Sequence, residues 1–228
     1  MADLHRQIMW GETWFGARFD ADGYALYSGA TVAPFSDIAS PGLRLRATGG
    51  RTRYTYEGLR FINGANRQLA FEANGSFADA LLGYQGRYGP LTWKLFAGYS
   101  YVVHETAPFD VTHPLATPQH GAKVVAEAWL NLPAARWLAI DLEAATIENA
   151  AALSIRLGQK VRPTLSFGLE AGGYLTRSGR GGRLALFARY AREWGEVSVA
   201  VGAAGEVSDT LEVDDVAPYV GLSVLTRF

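Results

Sequence analysis

The chain contains no cysteine, which removes disulfide frameworks, thiolate zinc sites and cysteine nucleophiles together. It also lacks a surplus of either charge, with 21 Lys and Arg against 22 Asp and Glu. Nothing electrostatic therefore points to nucleic acid or to an acidic membrane surface, and no nucleic-acid partner is expected. Long apolar runs are missing too. The charge-free segment Tyr24–Ser36 is broken by Gly and Pro, and a membrane-spanning helix needs about 20 apolar residues. The start, MADLHRQIMW, has no apolar core of the kind a signal peptide requires. That leaves a cytoplasmic protein, or a mature exported domain whose leader is absent. What the chain does have is 26 Gly, 11 Phe, 11 Tyr, 6 Trp and an apolar share of 49%, which excludes intrinsic disorder.

Apolar residues recur with period two far more often than 3.6. In the last segment Val216, Pro218, Val220, Leu222, Val224 and Phe228 share one face, opposite Ala217, Tyr219, Gly221, Ser223 and Arg227. The same alternation runs through 196–204, 183–191, 165–175, 153–158, 138–145, 123–131 and 91–103. Four noisier strands are expected at 13–20, 23–35, 42–56 and roughly 70–88. The Ala-rich stretches 69–82 and 122–131 are compatible with helix on propensity alone.

Twelve strands imply eleven connections, which fall alternately into two sets. One set holds 20–23, 57–67, 105–121, 148–151, 177–182 and 208–215; the other, mostly tighter and rich in Pro or Gly, holds 36–42, 88–90, 132–136, 159–163 and 193–195. Long loops on one side and short turns on the other are the mark of an up-and-down barrel with both termini at the short-turn end. The sequence thus predicts an all-β fold: residues 1–12 as a tail and 13–228 as a single antiparallel transmembrane β-barrel of about 12 strands.

Alternation alone does not say which face meets the core. A soluble barrel turns its apolar face inward, whereas a membrane barrel turns it toward lipid. Three features favour the membrane arrangement. The polar face is rich in small residues, such as Ser198, Ala200, Gly202 and Ala204, as a crowded lumen requires. Trp93, Tyr99, Tyr101, Trp137, Tyr190 and Phe228 lie near strand ends, where interfacial girdles belong. Finally, YVGLSVLTRF ends the chain on Phe and resembles the C-terminal assembly signal of bacterial outer-membrane barrels. A soluble, lipocalin-like binding barrel is the alternative.

Several segments carry a further resemblance. FGARFDADGYALYSGATVAPFSDIASPGLRLRATGGRTRYTYEG at 15–58, HGAKVVAEAWLNLP at 120–133, SIRLG at 154–158 and the closing YVGLSVLTRF resemble the cellulose biosynthesis protein BcsS family. The resemblance implies a Gram-negative envelope protein tied to cellulose or exopolysaccharide production. The expected partners are outer-membrane lipid and a glucan chain or other secretion components. It brings no catalytic motif and no cofactor.

The candidate site is the inward polar face: Arg44, Arg46, Lys94, Glu127, Asp141, Glu143, Arg156, Glu170, Arg189 and Glu193, with Trp129, Tyr174 and Tyr219 as stacking surfaces. Opposite charges on neighbouring strands suit ion-pair ladders that plug a lumen, or a polar passage for sugar hydroxyls. An outer-membrane lipid or saccharide hydrolase is the competing function. However, Ser100 and His104, four residues apart on one strand, lie about 13 Å from each other, too far for nucleophile and base. His113 and His120 match no zinc spacing, and loop solvation is expected for the histidines, with His5 in the tail. Asp79, Glu143 and Glu170 are expected to pair with Arg rather than to form a glycosidase dyad. RSGRGGR at 177–183 is expected to be a flexible, solvated turn.

Overall fold

The computed structural model describes residues 8–21, 23–62, 64–110, 113, 115–177, 179–207 and 213–228. Twelve strands form one closed sheet: β1 (Gly11–Phe19), β2 (Gly23–Val32), β3 (Gly42–Ile62), β4 (Ala65–Tyr88), β5 (Leu91–Ala107), β6 (Gln119–Leu132), β7 (Arg136–Ala145), β8 (Ala151–Arg162), β9 (Leu165–Leu175), β10 (Arg180–Arg192), β11 (Gly195–Val207) and β12 (Val213–Arg227). Each pairs antiparallel with its sequence neighbours, and β1 pairs with β12. The first strand starts at Gly11 rather than 13, and the Ala-rich stretches are strands, because tertiary pairing overrides their helix propensity.

Closure is made by the chain ends. The Phe228 carbonyl accepts from Trp10 N–H (2.6 Å) and Gly11 N–H (3.1 Å), while Phe228 N–H donates to the Gly11 carbonyl (3.0 Å). Without these bonds and the β1–β12 ladder that they extend, from Glu12↔Arg227 to Phe19↔Val220, two edges would present unpaired backbone groups to hydrocarbon, which no spanning sheet tolerates.

The outward face is aliphatic over β7 to β12. Leu186 is 67% exposed, and Ile155, Leu169, Val201 and Val220 are exposed beside it. This is the reverse of a soluble barrel, so the lipocalin-like alternative falls. Aromatic side chains mark the ends, with Phe15, Phe19, Tyr84, Tyr99, Tyr190, Trp194 and Phe228 exposed. Trp137 does not join them. It shares the parity of Ala139 and Asp141 and points inward, 0% exposed.

Two connections differ from expectation. Segment 57–67 is mostly strand: β3 and β4 continue past the lipid-facing band and stay paired to Ile62↔Ala65. Their extension holds together through inward side chains, with Tyr56 stacked on Phe71 (5.2 Å, 16°) and the Arg60 guanidinium 4.8 Å from the Phe71 ring. The β2–β3 turn, at the end where the termini lie, folds under the barrel instead of hanging free. Its Ile38 is buried, and its carbonyls at Ile38 and Ser40 accept from the inward side chains of Arg44 and Gln85.

Candidate functional site: a paired-charge lumen

Residues of one parity on all twelve strands line the interior, because side chains alternate sides and the sheet is closed. They enclose a cavity of about 550 Å³, whose lining includes seven carboxylates (Glu12, Asp79, Glu127, Asp141, Glu143, Glu170, Glu196) and six cations (Arg18, Arg46, Lys94, Lys123, Arg156, Arg183).

All of these but Arg18, whose guanidinium lies 5.2 Å from the Tyr27 ring, are paired, in three groups. In the first, Lys94 Nζ on β5 lies 2.8 Å from Glu12 on β1 and 3.4 Å from Glu127 on β6, and Glu127 also pairs with Arg46 on β3. β5 and β6 are neighbours, but β1 and β3 adjoin neither of them, so the group crosses the lumen. Arg46 is further seated against the Phe96 ring (3.8 Å) and Trp14 ring (5.0 Å). In the second group, Lys123 bridges Asp79 (2.9 Å) and Glu143 (3.1 Å), with Ser100 Oγ donating to Asp79 (2.6 Å). The third runs around the wall: Arg156 to Asp141 (3.5 Å), Arg183 to Glu170 (2.8 Å), and Arg189 Nε to Glu196 (3.0 Å).

Of the ten charged residues expected in the lumen, Arg46, Lys94, Glu127, Asp141, Glu143, Arg156, Glu170 and Arg189 sit in this lattice. Arg44 faces inward but pairs with no carboxylate, because its guanidinium is consumed by the carbonyls of the β2–β3 turn. Glu193 is not in the lumen. It lies exposed in the turn before β11, and Glu196 takes the place facing Arg189. Tyr219 is buried inside, with Arg183 5.8 Å from its ring. Tyr174 is 45% exposed at the outer end of β9, and Trp129 stacks on Trp137 near the opposite end. Glu12 falls in the segment expected to be a tail, because β1 begins at Gly11 rather than 13, while Arg18 was readable as a polar-face residue of β1. Lys123, Arg183 and Glu196 were readable as polar-face residues of their strands.

At the outer mouth the histidines are not solvated as expected. Leu115 N–H donates to His113 Nδ1 (3.2 Å), so His113 Nε2 carries the proton and donates to Tyr54 Oη (2.9 Å). That leaves the Tyr54 hydroxyl to donate to His104 Nδ1 (3.1 Å). Tyr56 donates to Asp110 (2.8 Å), which also pairs with Arg60. His120 is exposed and bonds Tyr99, and His5 lies outside the described residues. Ser100 and His104 have separate partners, Asp79 and Tyr54. Among the described residues no three metal-ligating side chains converge.

His104 lies beyond Val102, where β5 pairs with β4 alone, and the outward residues beside it, Ser76, Asn74 and Glu72, are polar. This part of the barrel stands clear of the lipid. Burial there, and the neighbouring His113, push the His104 imidazole down to about 4. Below pH 6.5 the unfolded chain takes up a proton that the folded cluster refuses, so this contribution is full above 6.5 and fades toward 4. The protection factors of amides in the outer halves of β3 and β5, which are corrected for the intrinsic pH dependence of exchange, are expected to fall about tenfold between pH 7.5 and pH 5. In His104→Phe that difference is expected to shrink; an equal pH effect in both proteins would show that His104 does not carry it.

Comparison with known proteins places the barrel. It is similar in fold to the KdgM porin (TM-score 0.54, 9% identity, 95% of this chain and 99% of that chain covered). It is also similar to the transport unit of the autotransporter AIDA-I from Escherichia coli (0.52, 11%, 100% and 92%) and to LpxR from Salmonella typhimurium (0.50, 10%, 95% and 100%). At such identities the likeness is one of fold, and the fold is that of outer-membrane β-barrels. Among curated proteins the comparison finds no match. The family model described as cellulose biosynthesis protein BcsS matches residues 13–228. With a match that runs from the first strand to the closing Phe228, this chain belongs to the BcsS family of cellulose biosynthesis proteins.

Proposed function

We propose that this barrel is an accessory element of cellulose production in the outer membrane, a narrow hydrated passage for a glucan that makes and breaks no bonds itself. The observation that carries the reading is the near balance of the lumen, seven carboxylates against six cations, all but Arg18 held in ion pairs. A passage for acidic saccharide would need a cationic wall, since unpaired carboxylates repel an anionic chain. A balanced polar wall instead offers donors and acceptors to neutral hydroxyls. The KdgM porin, a fold neighbour, has been captured with disordered oligogalacturonate; the wall described above suits an uncharged glucan better. The cross-lumen group of Glu12, Lys94, Glu127 and Arg46 keeps the resting passage narrow.

Reconstitution in a planar bilayer tests this. Small, weakly selective ion currents are expected, reduced by millimolar cellopentaose, and cells lacking the protein are expected to deposit less extracellular cellulose. Absence of current at every salt concentration, together with normal cellulose deposition, would overturn the proposal.

A further inference from the structure

The end of the barrel that holds both termini, the periplasmic end in this topology, carries a pair of indoles that the charge lattice does not use. Trp129 ends β6, Trp137 begins β7, and the two rings stack at 4.3 Å and 16°. Trp137 is the fixed member. It is 0% exposed, donates from Nε1 to Ser166 Oγ (3.3 Å), and lies so close to β8 that a Cβ at Gly158 would sit 2.2 Å from its ring. Phe187 packs on it at 5.4 Å.

Trp129 is different, being partly exposed. The Arg189 carbon is 4.9 Å from the Trp129 centroid and 5.3 Å from that of Trp137. Given the ring spacing, those distances place the guanidinium beside the pair, on the Trp137 side of Trp129. Among the described residues no ring or cation covers the other face of Trp129. Its Nε1 donates to Asn131 (3.3 Å), and its register neighbour on β5 is the small Thr92. The indole is therefore held in one orientation and stays partly exposed, with an amide (Asn131) and a hydroxyl (Thr92) beside it.

We propose that the Trp129 face is a docking platform for a pyranose ring of a β-linked glucan at the periplasmic mouth; this rests on the passage reading above. A β-linked glucopyranose has its hydroxyls equatorial, so both of its faces are flat and carry C–H bonds only. Such a face packs on an indole, while the equatorial hydroxyls reach outward to Asn131 and Thr92. Because Trp137 has already immobilised the platform, a sugar that lands on it costs no side-chain ordering. Filling of the lumen accounts for Trp137, Phe187 and the alanines around them. It does not account for a second indole that is stacked in place yet stays partly exposed.

The test uses the full chain in lipid nanodiscs with cellopentaose as the probe, followed by calorimetry. The wild-type protein is expected to bind, and Trp129→Ala to bind about 10-fold more weakly. Trp129→Tyr is expected to keep most of the affinity, and Asn131→Ala, which leaves the stack intact, to lose about threefold. Trp93→Ala on the outward face should change nothing. Unaltered cellopentaose affinity in Trp129→Ala and Asn131→Ala, in barrels that still conduct and cells that still deposit cellulose, would remove the platform and leave the passage standing. Absence of both binding and current in the wild-type protein would remove both.

Discussion

Replacing Arg44 with leucine is expected to produce the largest change in conductance of any single substitution in the barrel. The Arg44 side chain is 0% exposed and donates to Ser36 Oγ (3.0 Å) and to the carbonyls of Leu43 (2.8 Å), Asp37 (3.3 Å), Ile38 (3.1 Å) and Ser40. Four backbone acceptors would lose a charged donor at once, and each buried orphan costs about 1–3 kcal/mol. Gln85, bonded to two of the same carbonyls, cannot replace a five-donor fork. The β2–β3 turn should then leave the mouth, raising single-channel conductance several-fold. Stability toward denaturant in lipid should fall by about 3 kcal/mol. Arg44→Lys is expected to behave more like leucine than like arginine, since an ammonium cannot span carbonyls that a planar guanidinium reaches together. Wild-type conductance in Arg44→Leu would mean that the turn is no obstruction.

The second large effect is expected from Lys94→Met. This cation stands between Glu12 and Glu127, and both carboxylates lie among largely buried atoms. Removing one member of such a group leaves uncompensated charge and typically costs about 3–5 kcal/mol. The lower end is expected here because the lumen admits water and Arg46 still pairs with Glu127. The double variant Lys94→Met with Glu12→Gln should recover most of the loss, since it removes the orphaned charge along with its partner. Ion selectivity should move toward cations in the single variant and back in the double. Denaturant titration in lipid, combined with reversal potentials, separates the two effects; equal stability of single and double variants would show that Glu12 and Lys94 are not energetically coupled.

The strand plan was legible because a closed sheet between lipid and water imposes period two on almost every residue. Even a composition as small-residue-rich as that of β11 keeps its parity. What lay beyond the sequence was anything carried across a turn or by the backbone. Glu193 reads as a lumen acid only by its closeness to β10; the turn at 193–195 already favours Glu196, on the polar face of the next strand. Arg44 reads as one more lumen cation, since its partners are carbonyls that any residues could supply. The Tyr54–His104–His113 contact depends on His113 returning to the mouth from the long connection after β5, which no local pattern announces. Trp137 was placed in a girdle by proximity to a strand end, although its parity with Ala139 already assigned it to the interior.

The extension of β3 and β4 has a bearing on how the cell is seen by others. Past Tyr54 and Glu72 these two strands pair only with each other, so the hairpin stands above the bilayer as a ridge. Its outer side carries Arg53 paired with Glu72, and Glu57 bonded to Gln68. Such a ridge is an antigen. An antibody against it would stain intact bacteria and report the orientation of the barrel without breaking the cell. In the orientation that short turns at the terminal end imply, this ridge is the part of the protein that a phage or an immune receptor would meet first.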